Sequence, residues 1–106
     1  WGEGLYKLKE ASSSVNNSDD ILNYSSLEPN VISEYSVLKY GLNKPAYVKL
    51  SIYNELGILV QCLEFGLQEK GNYFNQIDFS EFNNGYYFYI LEADRIRENG
   101  KFVVIK

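Results

Sequence analysis

The stretch Ala46–Gly57, AYVKLSIYNELG, most constrains what this chain can fold into. Val48, Leu50 and Ile52 fall on one side of an extended chain, Lys49 and Ser51 on the other. That two-residue period, rich in β-branched and aromatic side chains, specifies a strand with one buried and one wet face. Asn54-Glu55-Leu56-Gly57 follows with turn chemistry, Gly57 being free to take positive φ. Ile58–Phe65 returns as a second apolar run. The pair is predicted to be a hairpin near the centre of a sheet, with the other strands packed around it.

Strand signals recur at short spacing on both sides of this hairpin. Ile21–Leu27 leads to Pro29-Asn30, where Pro29 has no amide to donate and should end or edge a strand. Ile32–Tyr40 is next, with Tyr35, Val37 and Lys39 alternating against Glu34, Ser36 and Leu38. Gly71 is expected at a positive-φ turn ahead of a strand over Tyr73–Phe79. A short helical turn is predicted over Glu81–Gly85, capped by a side-chain oxygen and stopped at Asn84-Gly85. Tyr86–Ala93 is the most strand-like run, Asp94–Gly100 reads as a charged loop, and Lys101–Ile105 as the last strand. The prediction is all-β: an antiparallel β-sandwich of about seven strands, split three and four.

With 106 residues, there is room for one such domain, spanning 21–106. Ala11–Asp20, ASSSVNNSDD, has too little apolar surface to offset its ordering entropy and is read as a linker. Ahead of it, residues 1–10 contain the strand-like Leu5–Lys9, either the end of a preceding domain or an extra edge strand. The Trp start and the lack of Met and of a signal-peptide pattern suggest a fragment or processed product. A net charge of −4 argues against a nucleic-acid partner. No run approaches the roughly 20 apolar residues of a membrane helix, so direct membrane insertion is not expected.

A search for catalytic groups comes up empty. Histidine is absent and Cys62 is the one cysteine, so no internal disulfide and no usual nucleophile–base pair can be assembled. Asp19/Asp20 lie in the linker, and Asp78 with Glu81 is better explained by capping. No stretch matches a calcium loop, and neither metal nor cofactor is expected. The tyrosine cluster Tyr86–Tyr89 could stack sugars, but alternation puts Tyr87 and Tyr89 on one face and Tyr86 and Phe88 on the other, so one pair should be core.

In order and spacing, several elements form one pattern: Pro29-Asn30, the strand Val48–Asn54 with Gly57, then Gly71, Asp78-Phe79-Ser80, Gly85-Tyr86-Tyr87-Phe88-Tyr89, and the finish Gly100–Lys106. The chain resembles the C-terminal sorting domain of the type IX secretion system, related in pattern to the immunoglobulin-like domain of flagellar hook-capping proteins. The usual Pro-Asn-Pro of that family is Pro29-Asn30-Val31 here. The resemblance implies an immunoglobulin-like fold, no enzymatic activity, and an export address that takes a cargo through the periplasm to the cell surface. It implies as partners an outer-membrane translocon, a shuttle protein and a surface sortase that cuts in the linker. Gly85, Tyr87, Lys101, Val103, Val104 and Lys106 match the late family motifs and would carry recognition; Pro29, Asn30, Gly57, Gly71 and Asp78 match turn positions. Two other readings stand beside it: a structural immunoglobulin-like module of an adhesin or filament, and a carbohydrate-binding module.

Overall fold

A computed structural model of the chain describes residues 21–106, so the Leu5–Lys9 strand and the Ala11–Asp20 linker lie outside the described residues. Among the described residues eight strands occur in order: β1 (Leu22–Glu28), β2 (Val31–Ile32), β3 (Tyr35–Leu42), β4 (Ala46–Asn54), β5 (Leu59–Gln68), β6 (Gly71–Asp78), β7 (Gly85–Ala93) and β8 (Ile96–Val104). They form a three-stranded sheet, β1-β3-β6, and a five-stranded sheet, β2-β8-β7-β4-β5. Every pairing is antiparallel except β2 with β8, which is parallel. Two facing sheets make a sandwich that is immunoglobulin-like at a coarse level. Among the described residues no helix is long and apolar enough to cross a membrane.

The alternation in β4 decides the core. Val48, Leu50 and Ile52 are buried between the sheets, joined from β7 by Tyr87, Tyr89 and Leu91 and from β8 by Phe102 and Val104. Leu38 and Tyr40 of β3 close them from the other sheet. Fully burying each such aliphatic side chain stabilises the fold by about 1.5–3 kcal/mol. A run of rings continues the core toward one end. Tyr87 stacks on Phe102 at 5.3 Å, Phe102 meets Phe79 at 5.0 Å, and Phe79 meets Phe82 edge-on.

Four expectations are corrected. The predicted seven strands in a three-plus-four split are eight in a three-plus-five split, because Val31–Ile32 pairs with β8 and not with its sequence neighbours. The predicted charged loop Asp94–Gly100 is largely strand: only Asp94 and Arg95 turn, Asp94 taking φ 55°, and Ile96 already pairs with Ala93. Its inward positions carry Glu98 and Gly100, which hide the apolar alternation; Glu98 is satisfied by the Ser25 hydroxyl at 2.6 Å. The helical turn predicted after Asp78 is a plain turn closed by the Phe82 amide donating to the Phe79 carbonyl. Finally, the second half of the central hairpin is an edge strand: β5 is exposed along most of its length and kinked by two register shifts.

Gly100 shows what packing demands of a glycine. It lies opposite Tyr89, and a Cβ there would come within 2.6 Å of the Tyr89 ring and hydroxyl. Tyr89 is 8% exposed and has little room to swing away. Gly100→Ala should therefore lower stability by about 1–3 kcal/mol through overpacking. Chemical denaturation checks this, and an unchanged midpoint would contradict it.

Candidate recognition surface

The late motif residues converge on the end of the five-stranded sheet where β8 finishes. β8 is hydrogen-bonded on both sides there. Gly85 pairs with Val104 and Tyr86 with Val103 across the β7 ladder. On the opposite edge, the Val103 amide donates to the Asn30 carbonyl at 3.0 Å and the Ile105 amide to the Ile32 carbonyl at 2.9 Å. Pro29 and Asn30 thus deliver β2 to the closing strand: Pro29 follows a cis peptide bond, and its carbonyl accepts from the Ser36 hydroxyl at 2.7 Å.

Lys106 ties this end to the neighbouring turn. Its amide donates to Asn84 Oδ1 at 3.0 Å and its ammonium to the Ser80 carbonyl at 2.6 Å. Gly85 opens β7 at φ 152°, a value that side-chain-bearing residues seldom adopt, and this lets Asn84 sit beneath the terminus. Two further turn residues occupy the geometry the sequence suggests: Gly57 has φ 80° between β4 and β5, and Gly71 has φ 152° at the start of β6.

The motif residues divide by face. Tyr87 and Val104 are buried, and the Tyr87 hydroxyl donates to the Asn83 carbonyl at 2.7 Å. Lys101 is exposed and Val103 half-buried on the outer face. The tyrosine cluster splits the same way, Tyr87 and Tyr89 going to the core and Tyr86 and Phe88 to solvent. The motif therefore combines residues that build the surface with residues that form it.

Register shows what surrounds Lys101. Across the outer face run Lys101, Phe88, Tyr53 and Leu59, one residue from each of four paired strands. Tyr53, Phe88, Ile90, Asn99 and Lys101 line a shallow groove of about 620 Å³. Val31, at 59% exposure, and Tyr86, at 65%, extend the apolar surface toward the chain end. Further along the same face lie Arg97, Glu92, Lys49 and Glu64, with Arg97 Nε 3.0 Å and Lys49 Nζ 3.4 Å from Glu92 carboxylate oxygens. One end of the outer face is thus charged and mutually paired, the other aromatic with lysine beside it. Val31 and Tyr53 were not among the candidates drawn from the sequence, and Phe88 entered only as part of the sugar-stacking cluster; the signal was present in the alternation that also placed Tyr87 inward.

Among the described residues no group of His, Cys, Asp or Glu could hold a metal ion. Asp78 acts locally. Both the hydroxyl and the amide of Ser80 donate to its carboxylate, the amide at 2.8 Å, and with Lys106 nearby they hold its carboxyl below the ordinary carboxylate value. A depressed pKa contributes stability above the unfolded value, about 3.9, and that contribution is lost as pH falls through the lower folded value. Acid unfolding followed by circular dichroism should therefore show a shallower loss of stability below about pH 4 in Asp78→Asn than in the native chain. Identical acid profiles would remove Asp78 from this role.

Comparison with curated proteins gives no match. A family model described as the secretion system C-terminal sorting domain matches residues 29–106, from Pro29 through the two-sided closing strand to Lys106. The chain belongs to this family, the sorting signals that direct cargo proteins through the type IX secretion system.

Proposed function

We propose that the export machinery recognises this domain, already folded, through the aromatic and lysine-bearing end of its five-stranded sheet. The observation that carries the reading is the division of the late motif. Gly85, Tyr87 and Val104 fix the closing strand, and that strand then presents Lys101 and Val103 outward beside Tyr86 and Phe88. Exposed aromatic side chains next to a cation are typical of the residues that dominate protein interfaces. Lys106 contributes from the adjoining turn.

The partners on this reading are the outer-membrane translocon and a shuttle protein, met during passage through the periplasm, and then a surface sortase. Cutting within the Ser- and Asn-rich stretch Ala11–Asp20 would part cargo from signal without disturbing the sandwich. The domain contributes binding and no chemistry of its own. Lysine on an exposed strand also discourages association between sheets, so a solubility role for Lys101 competes with recognition and needs to be separated from it.

Two variants in a fused reporter cargo separate these roles. Lys101→Glu with Lys106→Glu tests the charges, and Tyr86→Ser with Phe88→Ser tests the aromatic surface. Exposed substitutions usually shift stability by no more than about 0.5 kcal/mol, and Lys106→Glu, which also gives up the bond to the Ser80 carbonyl beside Asp78, costs about 1 kcal/mol more, so both should stay folded. Each pair should reduce the reporter found at the cell surface by about tenfold or more, with circular dichroism unchanged. Undiminished surface delivery in both would contradict the proposed recognition surface. Mass spectrometry of the delivered native cargo should end within 11–20; cargo that retains residues past Ser26 would contradict removal of the signal.

A further inference from the structure

The sandwich is open along one side. Among the described residues β5 and β6 are edge strands, which face each other across a gap and are joined at one end by the Glu69-Lys70 turn. The gap holds a cavity of about 380 Å³, and Gln61 and Phe82 also line a second of about 280 Å³. Leu63 and Phe65 point inward from β5 yet stay only partly buried, and so do Tyr73 and Phe82 opposite them. Inward-facing apolar residues left half-covered mean that the core lacks material on this side.

The two edges are not equivalent. β5 is interrupted by register shifts between Gly66 and Glu64 and between Gln61 and Leu59, which blunt it for further pairing. β6 pairs with β3 over its whole length, Gly71 through Asp78, without a break. Among the described residues no strand pairs with its outer edge, which presents a regular row of backbone donors and acceptors. Charge narrows the occupant. Asp78 and Glu81 line the mouth of the gap, and none of its lining residues is Lys or Arg. Lys106 stands near Asp78 but is committed to the Ser80 carbonyl, which leaves Glu81 facing the opening.

We infer that β6 is an acceptor edge for an extended segment of a partner protein, which adds as a fourth strand to the three-stranded sheet. Its alternate apolar side chains enter the gap against Leu63, Phe65 and Ile77, and a basic side chain at one end meets Glu81. Backbone pairing supplies affinity, and the pockets for alternate side chains supply selectivity. The inference stands apart from the export reading: binding is measured on the purified chain, so either can fail while the other holds.

The probe is a fluorescein-labelled nonapeptide of alternating valine and threonine ending in two lysines, titrated against the full chain by anisotropy. Saturable binding is expected, with slowed amide exchange in β6. The same peptide with every threonine replaced by proline should not bind, because it lacks the amides a ladder needs. Leu63→Asp should abolish binding, and Glu81→Gln should weaken it by about two- to fivefold, the size of one exposed charge pair. If Leu63→Asp fails to fold, the proline peptide and Glu81→Gln still decide. No saturable binding, equal binding of the proline peptide, or full affinity in Glu81→Gln would overturn the proposal. So would sedimentation showing that a second copy of the chain fills the edge and that the peptide cannot displace it.

Discussion

The last residues of the closing strand, β8, are held on both flanks, and the rest of this end of the sheet depends on that. Antiparallel pairing to β7 sets which residues face inward, and the parallel contact with Val31–Ile32 covers the other edge at Val103 and Val104. A strand paired on one side only would leave the Val103 and Ile105 amides to water; here they donate to Asn30 and Ile32. Since side chains alternate, fixing one residue fixes all. With Phe102 stacked on Tyr87 and Val104 buried, Lys101 and Val103 must face out. A slip of one position would bury the lysine and expose the rings, which the core cannot tolerate. Register here is determined by hydrophobic burial, and the exposed motif follows from it.

The outer face of the same sheet is organised along its length. Near the β7–β8 turn, Glu92 lies between Arg97 and Lys49 and the charges compensate one another. Exposed pairs of this kind contribute at most about 1 kcal/mol, so they matter more as a polar cover than as a source of stability. At the other end, Tyr86, Phe88 and Val31 have no such cover. An uncovered apolar patch beside a lysine is a cost for an isolated domain and an asset for one that must be gripped.

Much of this was legible in the sequence because alternation is a strong signal. Val48, Leu50 and Ile52 specified the core face of β4, and the Tyr86–Tyr89 run divided as a pleated strand requires. The order of turn residues and late motifs was enough to suggest the family. The failures have physical causes. Within the predicted Asp94–Gly100 loop, residues 96–100 were misread because Glu98 and Gly100 occupy inward positions, one bonded to Ser25 and the other covered by Tyr89. No local pattern marks Val31–Ile32 as a separate strand, because its partner lies some 70 residues away, Val31 meeting Val103. β5 reads as apolar and central, but apolar content alone does not say which strand a topology leaves at the edge. The late motifs marked the outward Lys101 and Val103 but not their neighbours Phe88 and Tyr53, because pairing between strands, which sets those neighbours, cannot be read from one segment.

The central claim is that folded shape, and not a linear tail, is the address. Ile52 is fully buried in β4, outside every late motif, so Ile52→Asp should unfold the sandwich and leave the terminal residues intact in sequence. Surface delivery of a cargo fused to this variant is the deciding measurement. Intact cargo should be retained inside the cell. Delivery at the native level, with circular dichroism showing the variant unfolded, would contradict it.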